Sequence, residues 1–124
     1  MQNRAGKFVA PSTDASLAAA HSAGVNDSLI VSLSDAAGDQ SYPLSAYTYF
    51  LVYREAAVYE RGRALARFMW WAAHEGQRFA LSMDYAPLPK RLVTSVEQCL
   101  RGLRGGGKPL IDASLVSSES ASVR

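Results

Sequence analysis

The sequence predicts a mixed fold, α/β or α+β, and three observations carry that expectation. Short apolar runs with two-residue alternation are interleaved with runs of helical period. Of the 124 residues, 48% are hydrophobic and 19% charged, which excludes a wholly disordered chain. No apolar stretch approaches the roughly 18 residues that a membrane-spanning helix requires.

Lys7-Phe8-Val9-Ala10 forms a short extended candidate closed by Pro11. Ser12-Thr13-Asp14 then offers helix N-cap chemistry to the alanine-rich run Ala15 to His21, which Gly24 ends. Leu29, Val31 and Leu33 alternate with Ser28, Ser32 and Ser34, the period of a half-buried strand. Asp35-Ala36-Ala37-Gly38-Asp39 is a turn composition. After Tyr42-Pro43, the run Ala46 to Tyr53 is β-branched or aromatic on both faces, as expected of a strand covered on both sides.

The next segment has helical period. With Leu65 at the centre, the stem of Arg61 and Phe68, Met69, Ala72, Gly76 and Phe79 fall within about 60° at 100° per residue. Glu60, Arg63, Arg67, His74 and Arg78 fall opposite, with Trp70 and Trp71 at the flanks. Two prolines interrupt in Asp84-Tyr85-Ala86-Pro87-Leu88-Pro89. Leu92, Val93, Val96, Cys99, Leu100 and Leu103 then trace a second amphipathic helix, stopped by Gly105-Gly106-Gly107. On this reading Cys99 is a buried packing residue. The serine-rich stretch from Ser114 carries no periodicity and is expected to be unordered. Three strand candidates do not readily cover a strand that is apolar on both faces, so the pattern suggests a fragment.

The charges and motifs exclude more than they assign. Residues 1–41 carry Arg4 and Lys7 against Asp14, Asp27, Asp35 and Asp39. The remainder is net basic, but on a scale common on solvated helices. Arg63, Arg67, His74 and Arg78 beside Trp70 and Trp71 resemble a basic-aromatic surface, yet Glu60 and Glu75 share that helix, so no nucleic-acid partner is assigned. Gly102-Leu103-Arg104-Gly105-Gly106-Gly107-Lys108 meets the Gly-x-x-x-x-Gly-Lys part of a phosphate loop. Pro109 then stands where a magnesium-binding hydroxyl is required, and the loop follows a helix. A lone Cys99 excludes an intrachain disulfide, and His21 and His74 lack metal-ligand spacing. No Gly-x-Ser-x-Gly occurs. No catalytic, phosphate-binding or metal-ligating residue is assigned, no cofactor is implied, and an enzyme is not expected. No signal peptide opens the chain, so it is expected either to be cytosolic or to lack its front.

Three segments, in order, resemble the C-terminal third of the periplasmic phosphate-binding protein of the high-affinity phosphate ABC transporter. Asn3-Arg4-Ala5-Gly6-Lys7-Phe8-Val9-Ala10-Pro11 resembles that family's Asn-x-x-Gly-x-x-Val-x-Pro strand. Ser41-Tyr42-Pro43-Leu44-Ser45-Ala46-Tyr47-Thr48 resembles its Tyr/Trp-Pro-Ile-x-x-x-Thr segment. Tyr85-Ala86-Pro87-Leu88-Pro89, after a helix ending His74-Glu75-Gly76-Gln77, resembles its Tyr-Ala-x-Leu-Pro signature. The likeness runs from about Asn3 to Leu110.

The resemblance implies a two-lobed periplasmic binding protein of type II-like fold, incomplete as a fragment, with inorganic phosphate held between the lobes. Residues 1–41 would end lobe two, 42–48 would cross the hinge, 49–110 would form the C-terminal part of lobe one, and 111–124 would be a flexible polar tail. It also implies an ABC-transporter permease as partner and a periplasmic or extracellular location. The family's Ser-Gly-Thr ligand loop has no counterpart here, so the chain is expected to lack the phosphate contacts. Arg54, Ser45 and Thr48 stand where a cleft is expected but are not assigned as ligands. The alternative is a free-standing protein-interaction domain on a degenerate binding-protein scaffold.

Overall fold

Ser12 starts the first helix as its composition predicts. In the computed structural model, which describes residues 1–24 and 29–112, α1 spans Thr13–Ser22. Ser12 is extended, and its Oγ accepts the Ala15 N–H at 3.1 Å, satisfying a donor that the first turn would leave free. Ala15, Ala19 and Ala20 are buried, and their small side chains let neighbouring backbone come close. The Tyr42 N–H reaches the Ala15 carbonyl at 3.2 Å, bringing the chain back onto α1.

The expected extended piece at Lys7–Ala10 is present as a single antiparallel bridge between Gln2 and Phe8. The turn expected at 35–39 is also present, with Asp35 at φ 50° and Gly38 at φ 109°. The strand expected over 29–33 is not formed. Leu33 is buried while Ile30 is exposed, and among the described residues the pairing nearby is the bridge Ser34–Leu44. Ser28 and the stretch from Ser114 lie outside the described residues.

The run Ala46–Tyr53 corrects the expectation most sharply. Among the described residues it joins no strand, and Leu51 and Tyr53 are 94% and 88% exposed. It meets the 29–33 segment through a side chain instead of a ladder. The Tyr49 hydroxyl donates to the Val31 carbonyl at 2.8 Å and accepts the Val31 N–H at 3.1 Å. Without a strand beside it, the residue pattern alone cannot make this run a strand.

The sheet is built from pieces too short to carry a period. Strands β1 (Glu55–Ala56) and β2 (Arg104–Gly105) are parallel, with Glu55 opposite Arg104. Strand β3 (Lys108–Pro109) pairs antiparallel with β2 across a two-residue turn. Gly106 and Gly107, at φ 57° and 74°, occupy that turn because both positions require positive φ. They therefore form a hairpin rather than a helix stop.

Helix α2 (Tyr59–Ala73) buries Ala66, Met69, Trp70 and Ala73. At 100° per residue this face is rotated by about 90° from one centred on Leu65. Leu65 and Phe68 are exposed, because the sequence carries two adjacent apolar stripes and this chain covers one. The helix also ends sooner than its pattern suggests. His74 departs from helical angles, and 3₁₀ turns Glu75–Phe79 and Leu81–Met83 follow.

Helix α3 (Lys90–Arg101) begins at Pro89 and ends at Gly102. Leu92 and Leu100 are its buried residues, with Val96 packed against the core. Cys99 is exposed, correcting its expected burial, because the buried stripe runs along Leu92, Val96 and Leu100 and leaves Cys99 at its edge. The core joins Ala66, Met69 and Trp70 to Leu100, Leu103, Leu110 and Ile111. Gly62 and Gly105 let Ala56, Tyr59 and Leu110 approach it closely.

Candidate functional site

The three segments that carry the family resemblance prove to be structural frames. Asn3 is buried, and its Oδ1 accepts the N–H groups of Ala5 and Lys7 at 3.1 and 3.0 Å. Its Nδ2 donates to the carbonyls of Gly38, Asp39 and Ser41 at 3.1, 2.9 and 3.2 Å. One side chain therefore shapes the Asn-x-x-Gly turn, with Gly6 at φ 76°, and ties it to the 35–41 turn. Three residues beyond Gly6, Val9 is buried.

In the Tyr-Pro segment, the buried Ser41 hydroxyl donates to the Ala37 carbonyl at 2.6 Å. Ser45 is buried too, and its hydroxyl is committed to the Tyr42 carbonyl at 2.9 Å. In the third segment Gln77 bridges backbone on both sides. Its Nε2 donates to Ala72 at 2.6 Å and its Oε1 accepts the Leu88 N–H at 2.7 Å. Asp84, at φ 59°, turns the chain between them.

The other candidates are accounted for in the same way. The glycine-rich loop resembles no phosphate cradle, since the Gly107 N–H is taken by a carboxylate, Glu55 Oε1, at 3.1 Å. Within the basic stripe Arg67 is exposed, while Arg63 and Arg78 are in ion pairs. Arg63 meets Asp112 at 3.1 Å, and Arg78 lies 3.7 Å from Glu75 with its guanidinium over the Phe79 ring. Trp70 is 3% exposed and presents no stacking surface to a nucleic acid, whereas Trp71 is exposed. His74, placed by the helical period opposite the apolar face, is half-buried and bonded through both ring nitrogens. Arg54 and Thr48 are exposed, and the Arg54 carbonyl accepts the Arg104 N–H at 2.8 Å. Among the described residues no three His, Cys, Asp or Glu side chains cluster to hold a metal, and no helix is long and apolar enough to cross a membrane.

What remains is an apolar surface. Phe50 meets Phe68 edge-on at 6.2 Å, and Phe68, Trp71 and Phe79 continue the row at 6.0 and 6.2 Å. Leu51, Tyr53 and Leu65 are exposed along the same elements. Beside the unpaired run lies a groove of about 260 Å³ whose lining includes Val52, Val58, Leu65, Met69, Leu103 and Leu110. Exposed apolar patches of this kind are features of interaction surfaces and of ligand-binding grooves alike. The sequence held the signal for this surface in the Leu65-centred stripe, but not the fact that it stays open.

No family model matches the chain. It is 33% identical over 99 residues to the phosphate-binding protein PstS of Pasteurella multocida, a match covering 78% of this chain and 29% of that protein. The corresponding protein of Haemophilus influenzae is 31% identical over 99 residues, covering 78% and 30%. That of Methanocaldococcus jannaschii is 35% identical over 105 residues, covering 73% and 26%. The chain thus spans about three tenths of the length of the curated relatives it matches.

Proposed function

We propose that this chain, which is similar to part of the PstS phosphate-binding proteins, acts as the hinge and C-terminal lobe portion of a periplasmic or extracellular protein that captures inorganic phosphate for ABC-transporter import. The observation that carries the proposal is the open apolar surface around Phe50, Leu51 and Phe68 on a chain that matches only 29% of its relative. A run that is apolar on both faces is at rest when strands flank it and helices cover it. The remaining length of such a relative would supply both.

In this reading residues 1–41 belong to one lobe of a type II-like fold, 49–110 to the other, and 42–48 to the crossing between them. Reversible lobe closure around the anion would be the working motion. The frames described above support a scaffolding role. Asn3, Ser41, Ser45 and Gln77 spend their polar atoms on backbone, which suits a hinge and leaves phosphate contacts to other segments. The transporter permease would be the partner of the whole protein.

Titration calorimetry of inorganic phosphate into this chain alone is the direct test. No binding at micromolar concentrations is expected, and recovery of binding is expected when the unmatched portion of the Pasteurella multocida relative is co-expressed. Tight binding by the isolated chain would overturn the proposal.

A second reading has its own support in the aromatic row: a free-standing domain that kept the scaffold and uses this face to bind another protein or a second copy of itself. Sedimentation showing a compact monomer with no self-association would count against the self-association form of that reading.

A further inference from the structure

We infer that His74 is a proton-dependent clasp that holds α3 onto the end of α2, closed when the ring is cationic and loosened when it is neutral. The inference stands on the hydrogen-bonding geometry and is independent of the transport reading.

His74 Nδ1 lies 2.8 Å from the Trp70 carbonyl oxygen, and Nε2 lies 3.0 Å from Glu97 Oε1. A carbonyl oxygen can only accept, so Nδ1 must carry a hydrogen. The second Glu97 oxygen faces Arg101 Nη2 at 3.6 Å, an arrangement suited to an ionised carboxylate, which also only accepts. Nε2 must therefore carry a hydrogen as well. A neutral imidazole has one N–H, and would set a lone pair against an oxygen at one of these two contacts. Both contacts are made only by the imidazolium.

Two further features favour the same charge state. The His74 ring stacks on Trp70, with centroids 4.7 Å apart and planes 25° from parallel, and an indole face attracts a cation. His74 is also the C-cap of α2, where the free carbonyls favour positive charge. Arg101 opposes this, since its guanidinium lies 4.9 Å from the Trp70 ring centre, but it shares Glu97 with the histidine. On the following turn, Arg78 and Glu75 pair with each other at 3.7 Å.

The consequence reaches the core. Trp70 belongs to the buried cluster with Leu100 and Leu103, so the clasp sits at the edge of the α2–α3 packing. The unfolded chain's histidine is mostly neutral above a pH of about 6.5. The folded form favours the cation, so, as long as Glu97 is ionised, this contribution is full below a pH of about 6.5 and is lost as pH rises through the neutral range.

Nitrogen-15 NMR of the histidine rings in the whole chain tests the charge directly. At about pH 7, where an ordinary histidine is mostly neutral, His74 is expected to show protons on both ring nitrogens; a single neutral tautomer would overturn the inference. Thermal melts provide the second arm. Between about pH 5.5 and 8.5, the wild-type chain is expected to lose about 5 °C more than His74→Gln, the shift of roughly one kilocalorie in a small domain. His21 is common to both chains and cancels. Equal losses would overturn the inference. If His74→Gln does not fold, Glu97→Gln replaces it: its His74 ring is expected to be neutral at about pH 7, and a ring still doubly protonated there would overturn the inference.

Discussion

Arg91 Nη2 lies 2.8 Å from the carbonyl oxygen of Ala20, tying the first turn of α3 to the last turn of α1 across 71 residues of sequence. The same nitrogen also reaches the carbonyls of His21, at 2.8 Å, and Ala23. Carbonyls at a helix C-terminus have no partner within the helix and carry partial negative charge, so a guanidinium is well matched to them. This is a side-chain cap supplied from a distant element.

Replacing Arg91 with alanine should therefore destabilise α1 selectively. The expected loss is about 1–2 kcal/mol, the range for a helix C-terminal cation with charge-assisted hydrogen bonds. Hydrogen exchange is the suitable measurement, because amides of Thr13–Ser22 should lose protection while those of α2 keep it. Lysine at the same place retains charge but cannot span several carbonyls with a planar fork, so Arg91→Lys should recover only part of the loss.

Asn3 carries a stricter requirement. Its amide nitrogen donates to three carbonyls while its oxygen accepts two N–H groups. Asn3→Asp preserves the shape and the acceptor but sets an oxygen against the carbonyls of Gly38, Asp39 and Ser41. Loss of about 2–3 kcal/mol is expected, since buried acceptors are left without partners. Asn3→Asp should be no better than Asn3→Ala in urea denaturation, an order that simple loss of volume would not produce.

These residues also show what was legible in the sequence. Ser12 could be identified as a cap because its partner, Ala15, is three residues away. The turn at 35–39 and the interruption before α3 were equally local. The strands were not, because β1 and β2 pair residues 49 apart and are two residues long, too short for a period of two to register. The α2 face was misplaced because Leu65 and Phe68 are as apolar as Met69 and Trp70, and only the tertiary contacts decide between the stripes. Asn3 lies in a segment that carries the family resemblance, yet its five side-chain contacts reach as far as Ser41 and are invisible in a one-dimensional pattern.

Gly62 faces β1 so closely that a methyl group added there would stand 2.4 Å from the Ala56 Cβ and 3.0 Å from Leu110 Cδ1. Neither neighbour is a flexible side-chain end that can swing clear, since Ala56 is anchored in the sheet and Leu110 is 2% exposed. Gly62→Ala gains helix propensity but overpacks the core, and a net loss of about 1–2 kcal/mol is expected. Gly106→Ala, in the open hairpin turn, should cost about 1 kcal/mol through its positive φ alone. Chemical denaturation of the two variants distinguishes a packing clash from a backbone penalty, because only Gly62→Ala should be partly rescued by Leu110→Val.

Tyr47 gives the chain an alkaline sensitivity. Burial holds its phenol above the usual range, opposed by the positive charge of Arg91 and reinforced by Tyr49. The folded state thus keeps the phenolic proton to higher pH than the unfolded state does. Stability is unaffected by this group below the unfolded phenol value of about 10 and falls as pH rises beyond it. Tyr47→Phe should remove that component, so its denaturation midpoint should decline less steeply than the wild type's above about pH 10. Arg91→Ala removes the opposing charge and should push Tyr47 ionisation higher still, which ultraviolet difference titration can follow. A Tyr47 titration unmoved by Arg91→Ala would show that the guanidinium's charge does not reach the phenol.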